Sequence, residues 1–244
     1  MWDKPEYLKR IADALFVLAL LGVLYAVLIY ALHQPIFNIR LVRIVTPIDH
    51  VTQSQIEEII RREVRGSLFT LNLIAVRSGF EKLPWVRRAD IRRQWPGGLE
   101  VALIEHVPLA RWGKEALVNV EGEIFNAAFD KDLPIFNGPS GTAKEMTIQF
   151  VHMQNSLAEI KKIPKEVSLS ARRAWQVRLQ DGMTLDLGRD QLEERLRRFV
   201  VTYPQTIAKM NRRVDRVDLR YANGFAVRVP SLPVLDDPKE KRGT

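Results

Sequence analysis

Residues 83–103 read LPWVRRADIRRQWPGGLEVAL, and this stretch decides the fold. From Trp85 to Trp95 the chain alternates as a strand does, with Ala89 and Ile91 on one face. Pro96-Gly97-Gly98 supplies a turn, and Leu99, Val101 and Leu103 alternate in the strand that returns. Trp95-Pro96 sets the hairpin turn, while Pro84 and Trp85 end one element and begin the next. Their roles are structural.

Upstream, Thr52-Gln53-Ser54-Gln55 is a capping box, in which two side chains satisfy orphan backbone N–H groups reciprocally. The helix it opens carries Ile56, Ile59, Ile60 and Val64 on one face and stops at Gly66. Asn72 caps a second helix, whose apolar face is Leu73, Val76, Phe80 and Leu83 and which Pro84 ends. Before both lies a β-rich run, Ile36 to Val45, closed by Thr46-Pro47. The order β-α-α-β-β over residues 36–107 predicts one compact α+β unit.

A second unit is expected over residues 108–230. Short strands are predicted at Leu109–Trp112, Leu117–Val120 and Leu133–Phe136. Residues 143–160 place Met146, Phe150, Met153, Leu157 and Ile160 at helical spacing, with the methionines as core filler. Trp175–Leu179 and Met183–Leu187 flank Asp181-Gly182, a hairpin signal. Asp190 with Glu193 predicts a capped helix carrying Leu192, Leu196, Phe199 and Tyr203. Val214–Tyr221 and Phe225–Val229 predict a last hairpin turning on Asn223-Gly224. This is a β-rich domain with a mostly antiparallel sheet and flanking helices. Residues 231–244, rich in proline and charge, are expected to be disordered.

Outward in the other direction, Ala14 to Leu32 is ALFVLALLGVLYAVLIYAL, without a charge or a proline. That predicts a single transmembrane helix over residues 13–33 after a short cytoplasmic tail, residues 1–12. A cleaved signal peptide would have an apolar core of only ~7–15 residues and an A-x-A-like site. The chain offers Ala31-Leu32-His33-Gln34-Pro35 instead. Lys4, Lys9 and Arg10 precede the helix and Arg40 and Arg43 follow it, which leans toward a cytoplasmic N-terminus.

Composition narrows the chemistry. With no cysteine, thiolate catalysis, Cys-ligated zinc and disulfides are excluded. The net charge of +8 and pI near 9.8 do not signify nucleic acid, because no aromatic-interleaved basic motif or recognition-helix pattern accompanies them. The four histidines, at 33, 50, 106 and 152, show no metal spacing. No nucleophile elbow, P-loop or dinucleotide motif occurs, and Glu105-His106 reads as a polar strand end. No enzyme activity, cofactor or small-molecule substrate is expected.

The wording SLF (67–69), LPWV (83–86), Arg92, Trp95-Pro96, Leu99, Val101, Glu105, Pro108, Ala110 and Trp112 resembles a POTRA domain, specifically that of the bacterial FtsQ/DivIB cell-division family. Leu187-Gly188-Arg189, Arg197-Arg198-Phe199 and DLRYANGFAV (218–227) are similar to that family's second domain. The resemblance spans nearly the whole chain. It implies an essential, non-catalytic inner-membrane scaffold, periplasmic beyond the helix and concentrated at the division septum, which links early and late division proteins. It implies FtsB and FtsL as partners in a heterotrimeric subcomplex, with FtsK and other divisome proteins as further partners. The partner-binding residues it implies are Arg172, Arg220, Tyr221, Asn223, Gly224, Phe225 and Val227. The last strand would offer an open edge for β-strand addition.

Two other classes share parts of this pattern. A POTRA protein of envelope transport or assembly needs a barrel of ~10-residue amphipathic strands, which residues 109–244 do not supply. A membrane-anchored periplasmic cell-wall enzyme needs a nucleophile or metal motif.

Overall fold

The computed structural model describes residues 5–32, 38–95, 97–210 and 212–230. Pro96 of the expected turn, the end of the expected membrane segment at residue 33 and the expected tail at 231–244 lie outside the described residues. The chain divides into two compact units, Met1–His106 and Val107–Thr244.

The first unit opens with helix α1, Pro5–Leu32. The described part of this helix extends N-terminal to the apolar segment expected from residue 13. Its stretch Lys9–Tyr30 has 22 residues and a mean hydropathy of 2.5, with none of it buried in the protein. At about 1.5 Å per residue it reaches roughly 33 Å, enough for the ~30 Å hydrocarbon core.

Strand β1, Leu41–Ile44, helices α2, Gln53–Glu63, and α3, Leu73–Glu81, and strands β2, Val86–Gln94, and β3, Gly98–Glu105, come next along the chain. The sheet order is β1-β3-β2, with β1 parallel and β2 antiparallel to the central β3. Both expected caps form. The Thr52 hydroxyl accepts from the Gln55 N–H while Gln55 Oε1 accepts from the Thr52 N–H at 3.0 Å, and Asn72 Oδ1 accepts from Ile74 and Ala75. The caps aim Ile56, Ile59, Val76 and Phe80 at Ala89, Leu99 and Val101, all buried. Of the expected run Ile36–Val45, Ile36 and Phe37 lie outside the described residues, Asn38 bridges to Ser67 of the α2–α3 turn, and Leu41–Ile44 form β1.

Glu105, expected to be only a strand-end polar residue, anchors the loop before α2. Its carboxylate accepts from the His50 and Val51 N–H groups at 3.1 and 3.0 Å and lies 3.0 Å from His50 Nδ1. Burial raises its pKa, but the hydrogen bonds from His50, Val51 and Asp49 outweigh that and hold it below the ordinary carboxyl value. The His50 ring in turn stacks on Trp85 at 3.8 Å.

The second unit is a single nine-stranded sheet carrying two helices. Its strands are β4, Pro108–Trp112; β5, Ala116–Asn119; β6, Ile124–Phe125; β7, Ile135–Asn137; β8, Pro164–Leu169; β9, Trp175–Leu179; β10, Thr184–Gly188; β11, Arg216–Asp218; and β12, Ala226–Arg228. Helix α4, Ala143–Ala158, precedes β8, and α5, Leu192–Thr202, comes after β10. The sheet order is β12-β11-β10-β9-β8-β7-β4-β5-β6. It is mostly antiparallel, with parallel pairs at β4–β7, β7–β8 and β10–β11. Met146, Phe150, Met153 and Leu157 of α4 and Leu196 and Phe199 of α5 share one core with Val167, Val177, Leu185 and Val217.

Three expectations need correction. Strand β8 has no counterpart among the expected strands, yet it sits between β7 and β9; Pro164 opens it, where a missing N–H is tolerated. Helix α5 is not capped by Asp190. Gln191 holds the cap position in a left-handed conformation (φ 56°), and Asp190 pairs with Arg189 instead. The last hairpin does not turn tightly on Asn223-Gly224. Its strands have three residues each, and neither Asn223 nor Gly224 has the positive φ that a two-residue turn requires.

Candidate partner-binding interface

The wide loop has an identifiable cause on α5. Arg198 donates from Nη1 to the Ala222 carbonyl at 2.6 Å and from Nη2 to Tyr221 at 2.8 Å and Leu219 at 3.5 Å. The Leu219 N–H meanwhile donates to the Asp186 carbonyl at 2.9 Å, so Leu219 stays beside β10. These donations from one guanidinium tie the segment 219–225 to α5 as a loop outside the strand ladder.

That loop leads into β12, the terminal strand of the sheet. β12 pairs antiparallel with β11, Val217 opposite Val227, and no described strand pairs with its other side. Phe225, Val227 and Val229 pack against the core, Phe225 meeting Phe199 edge-on at 6.1 Å between centroids. Ala226 and Arg228 point away from it and are exposed. The edge therefore presents backbone groups from a strand whose inner side chains hold it in place.

Within the second unit a concavity of about 530 Å³ runs across β7 to β11, with no residue of β12 in its lining. Its lining includes Ser170, Ala171 and Trp175 at the β8–β9 turn, and Asp186, Arg216 and Arg220 across from them. Asp186 is buried at 8% exposure and takes a fork from Arg216, whose Nη2 donates to Oδ1 at 2.9 Å, together with Gln176 at 2.8 Å. The hydrogen bond and charge of Asp186 raise the Arg216 pKa above its ordinary value. On the rim, Arg220 donates from Nε and Nη2 to the two oxygens of Asp218 at 2.8 and 2.6 Å. That fork first, opposed by burial, holds the Asp218 carboxyl below its ordinary range. Asp218 engages only one side of the guanidinium, which leaves the Nη1 donors for another acceptor.

Of the sequence-derived residues, Arg220 lines the concavity and Arg172 sits on the opposing turn next to the lining residue Ala171. Tyr221 and Asn223 are exposed on the loop, with Gly224 beside them in open space. Phe225 and Val227 belong to the edge strand's inner face. Sequence reasoning missed Arg198, Asp186 and Asp218 as supports of this site. Asp218 lies two residues from Arg220 within the DLRYANGFAV motif and was findable; the contacts of Arg198 cross more than twenty residues and have no local signature.

A helix long and apolar enough to span a membrane, a three-stranded POTRA-like unit and a β-rich sheet whose described terminal strands are β12 and β6 define an anchored module with sheet edges open to a partner. The chain's similarities agree. Residues 37–106 match the family model "POTRA domain, FtsQ-type", and residues 110–220 match "Cell division protein FtsQ/DivIB, C-terminal". The chain is 46% identical to the cell division protein FtsQ of Nitrosospira multiformis over 233 residues, covering 93% of this chain and 99% of that protein. It is 37% identical to FtsQ of Burkholderia pseudomallei over 244 residues, 97% and 98% of the two chains. With FtsQ of Escherichia coli it shares 34% identity over 184 residues, 72% and 67% of the two. The chain belongs to the FtsQ/DivIB family of cell-division proteins and carries one N-terminal helix, among the described residues, long and apolar enough to cross a membrane.

Proposed function

We propose that this protein is a non-catalytic scaffold of the divisome that captures FtsB and FtsL on the open edge of its second unit. The N-terminus lies in the cytoplasm, the POTRA unit and the β-rich unit lie in the periplasm, and the protein concentrates at the septum. An extended segment of FtsB adds as a strand beside β12, and its acidic side chains reach Arg220 and Arg172 across the concavity. FtsK and other divisome proteins meet the POTRA unit, leaving the two units separate tasks.

The observation that carries this reading is the position of β12. It is an unpaired edge among the described strands, three residues long, and it is flanked by a loop whose arginine and tyrosine are exposed. Main-chain pairing along such an edge supplies affinity, and flanking side chains supply selectivity. A guanidinium with free donors suits a carboxylate, which it grips by two parallel bonds. Co-purification tests it: Arg220→Glu is expected to lose FtsB while retaining the wild-type melting profile. Full recovery of FtsB by that variant would overturn the assignment.

A further inference from the structure

Two turns of the POTRA unit meet at one end of its sheet, and the described chain resumes at that end with Asn38. β1 begins there with Leu41 opposite Gly98, and β2 ends there with Gln94 opposite the same residue. The Arg40 N–H donates to the Gly97 carbonyl at 2.8 Å, and Asn38 bridges to Ser67. Arg93 ties the strand to the other turn, donating to the carbonyls of Leu68 at 2.6 Å and Leu71 at 3.1 Å. Gly97 has φ +73°, and a Cβ there would stand 3.0 Å from the Asn38 carbonyl. The incoming chain and both turns are thus locked into one surface.

That surface carries large apolar side chains with substantial solvent exposure. Trp95 is 72% exposed, Phe69 48%, Leu41 53% and Ile74 75%. Of the exposed charges around them, Arg40, Arg65 and Arg93 are of one sign, while Arg92 stands opposite Glu100 in the β2–β3 register. At the opposite end of the sheet the polar groups are of both signs, Asp49, His50 and Glu105 together with Arg87 and Arg88 at the start of β2. Aromatic and aliphatic side chains rimmed by arginine form a costly surface in water but the composition of a bilayer interface, where indole rings sit at headgroup level and cations meet lipid phosphates. Only six peptide units separate Leu32, the last residue of α1, from Asn38. Fully extended they span at most about 20 Å.

We propose that this end of the POTRA unit rests on the headgroup layer of the bilayer that α1 spans. Trp95 and Phe69 lie in the interface, and Arg40 and Arg65 contact anionic phosphates. The proposal rests on α1 being a membrane span. Such a seat fixes the tilt of the POTRA unit against the membrane, so that this unit and its anchor helix move together.

The test uses the full chain carrying Trp2→Phe, in nanodiscs of phosphatidylethanolamine and phosphatidylglycerol with either plain or brominated acyl chains. Trp85, Trp95, Trp112 and Trp175 remain as fluorophores. The expected result is bromine quenching that disappears when Trp95→Phe is added and falls by more than half in Arg40→Glu/Arg65→Glu. Equal quenching with and without Trp95 overturns the proposal; so does a Trp95 that is dry of lipid but needed for co-purification of a protein, which would make this face a protein contact. Co-elution with the nanodisc reads α1 separately. A chain that inserts without Trp95 quenching contradicts the surface contact alone, whereas a chain that fails to insert overturns the spanning reading and the surface contact with it.

Discussion

Arg220 and Asp218 form a two-pronged ion pair on the rim of the second unit, Nε to Oδ1 at 2.8 Å and Nη2 to Oδ2 at 2.6 Å. The pair is mostly in water, with 63% of the arginine side chain exposed, so it contributes little to the stability of the fold. Its effect is on geometry. Asp218 holds the guanidinium planar to the rim and keeps a defined set of donors turned to any arriving carboxylate.

The first prediction comes from that division of labour. Arg220→Glu places a carboxylate beside Asp218 and repels an acidic partner. Binding of FtsB, read by isothermal titration, is expected to fall below detection while the melting temperature stays at the wild-type value. Arg220→Lys should keep part of the affinity, since a lysine supplies the charge without the fork.

A second prediction concerns Arg198, which supports the loop from α5. Arg198→Ala releases the Tyr221 and Ala222 carbonyls and is expected to destabilise the second unit by about 1.5–3 kcal/mol, the range for hydrogen bonds from a charged donor. Partner affinity should fall with it, because the loop bearing Arg220 and Tyr221 loses its support. A variant with normal melting and normal affinity would show that the loop holds itself.

Glu105 gives the POTRA unit a pH dependence. Its pKa is lowered on folding from an ordinary value of 4.5, so the folded state binds fewer protons than the unfolded chain. The stabilisation is therefore complete above that value and is lost as pH falls below it, through the folded pKa. Melting of the full chain between neutral pH and pH 3 should show this loss in the transition of the first unit. Glu105→Gln should remove that part of the pH dependence and cost about 1–3 kcal/mol at neutral pH, as loop N–H groups lose a charged acceptor.

The two cores are separate clusters, and this is testable by calorimetry. Phe80 is fully buried in the first cluster, and Phe80→Ala is expected to destabilise that unit by about 3–5 kcal/mol. The transition of the second unit should not move. A matched fall of both transitions would mean that the units melt as one.

Much of the first unit was legible because its determinants are local. The Thr52–Gln55 box, the Asn72 cap and the alternation around Ala89 and Leu99 each act within a few residues, and each reappears in the structure. The second unit was legible where neighbours in sequence pair, as at Asp181-Gly182 between β9 and β10. It was not legible where distant groups decide. PKEVSL carries two charges and a proline, yet it forms a central strand, because Glu166 finds Asn137 and Arg178 on its neighbours. Asn223-Gly224 has the composition of a tight turn, and Arg198 overrides it from another element. The strand that forms the β12 edge was legible in its own residues, whereas the concavity is lined by residues from β7 to β11 that are far apart in sequence.

The most direct test of strand addition is hydrogen–deuterium exchange of the full chain with and without FtsB. Pairing along β12 should slow amide exchange in residues 225–229 at least tenfold, a loss of opening worth about 1.4 kcal/mol or more, with smaller changes at the Arg172 turn. Exchange in residues 225–229 that is unchanged while FtsB is bound would contradict it.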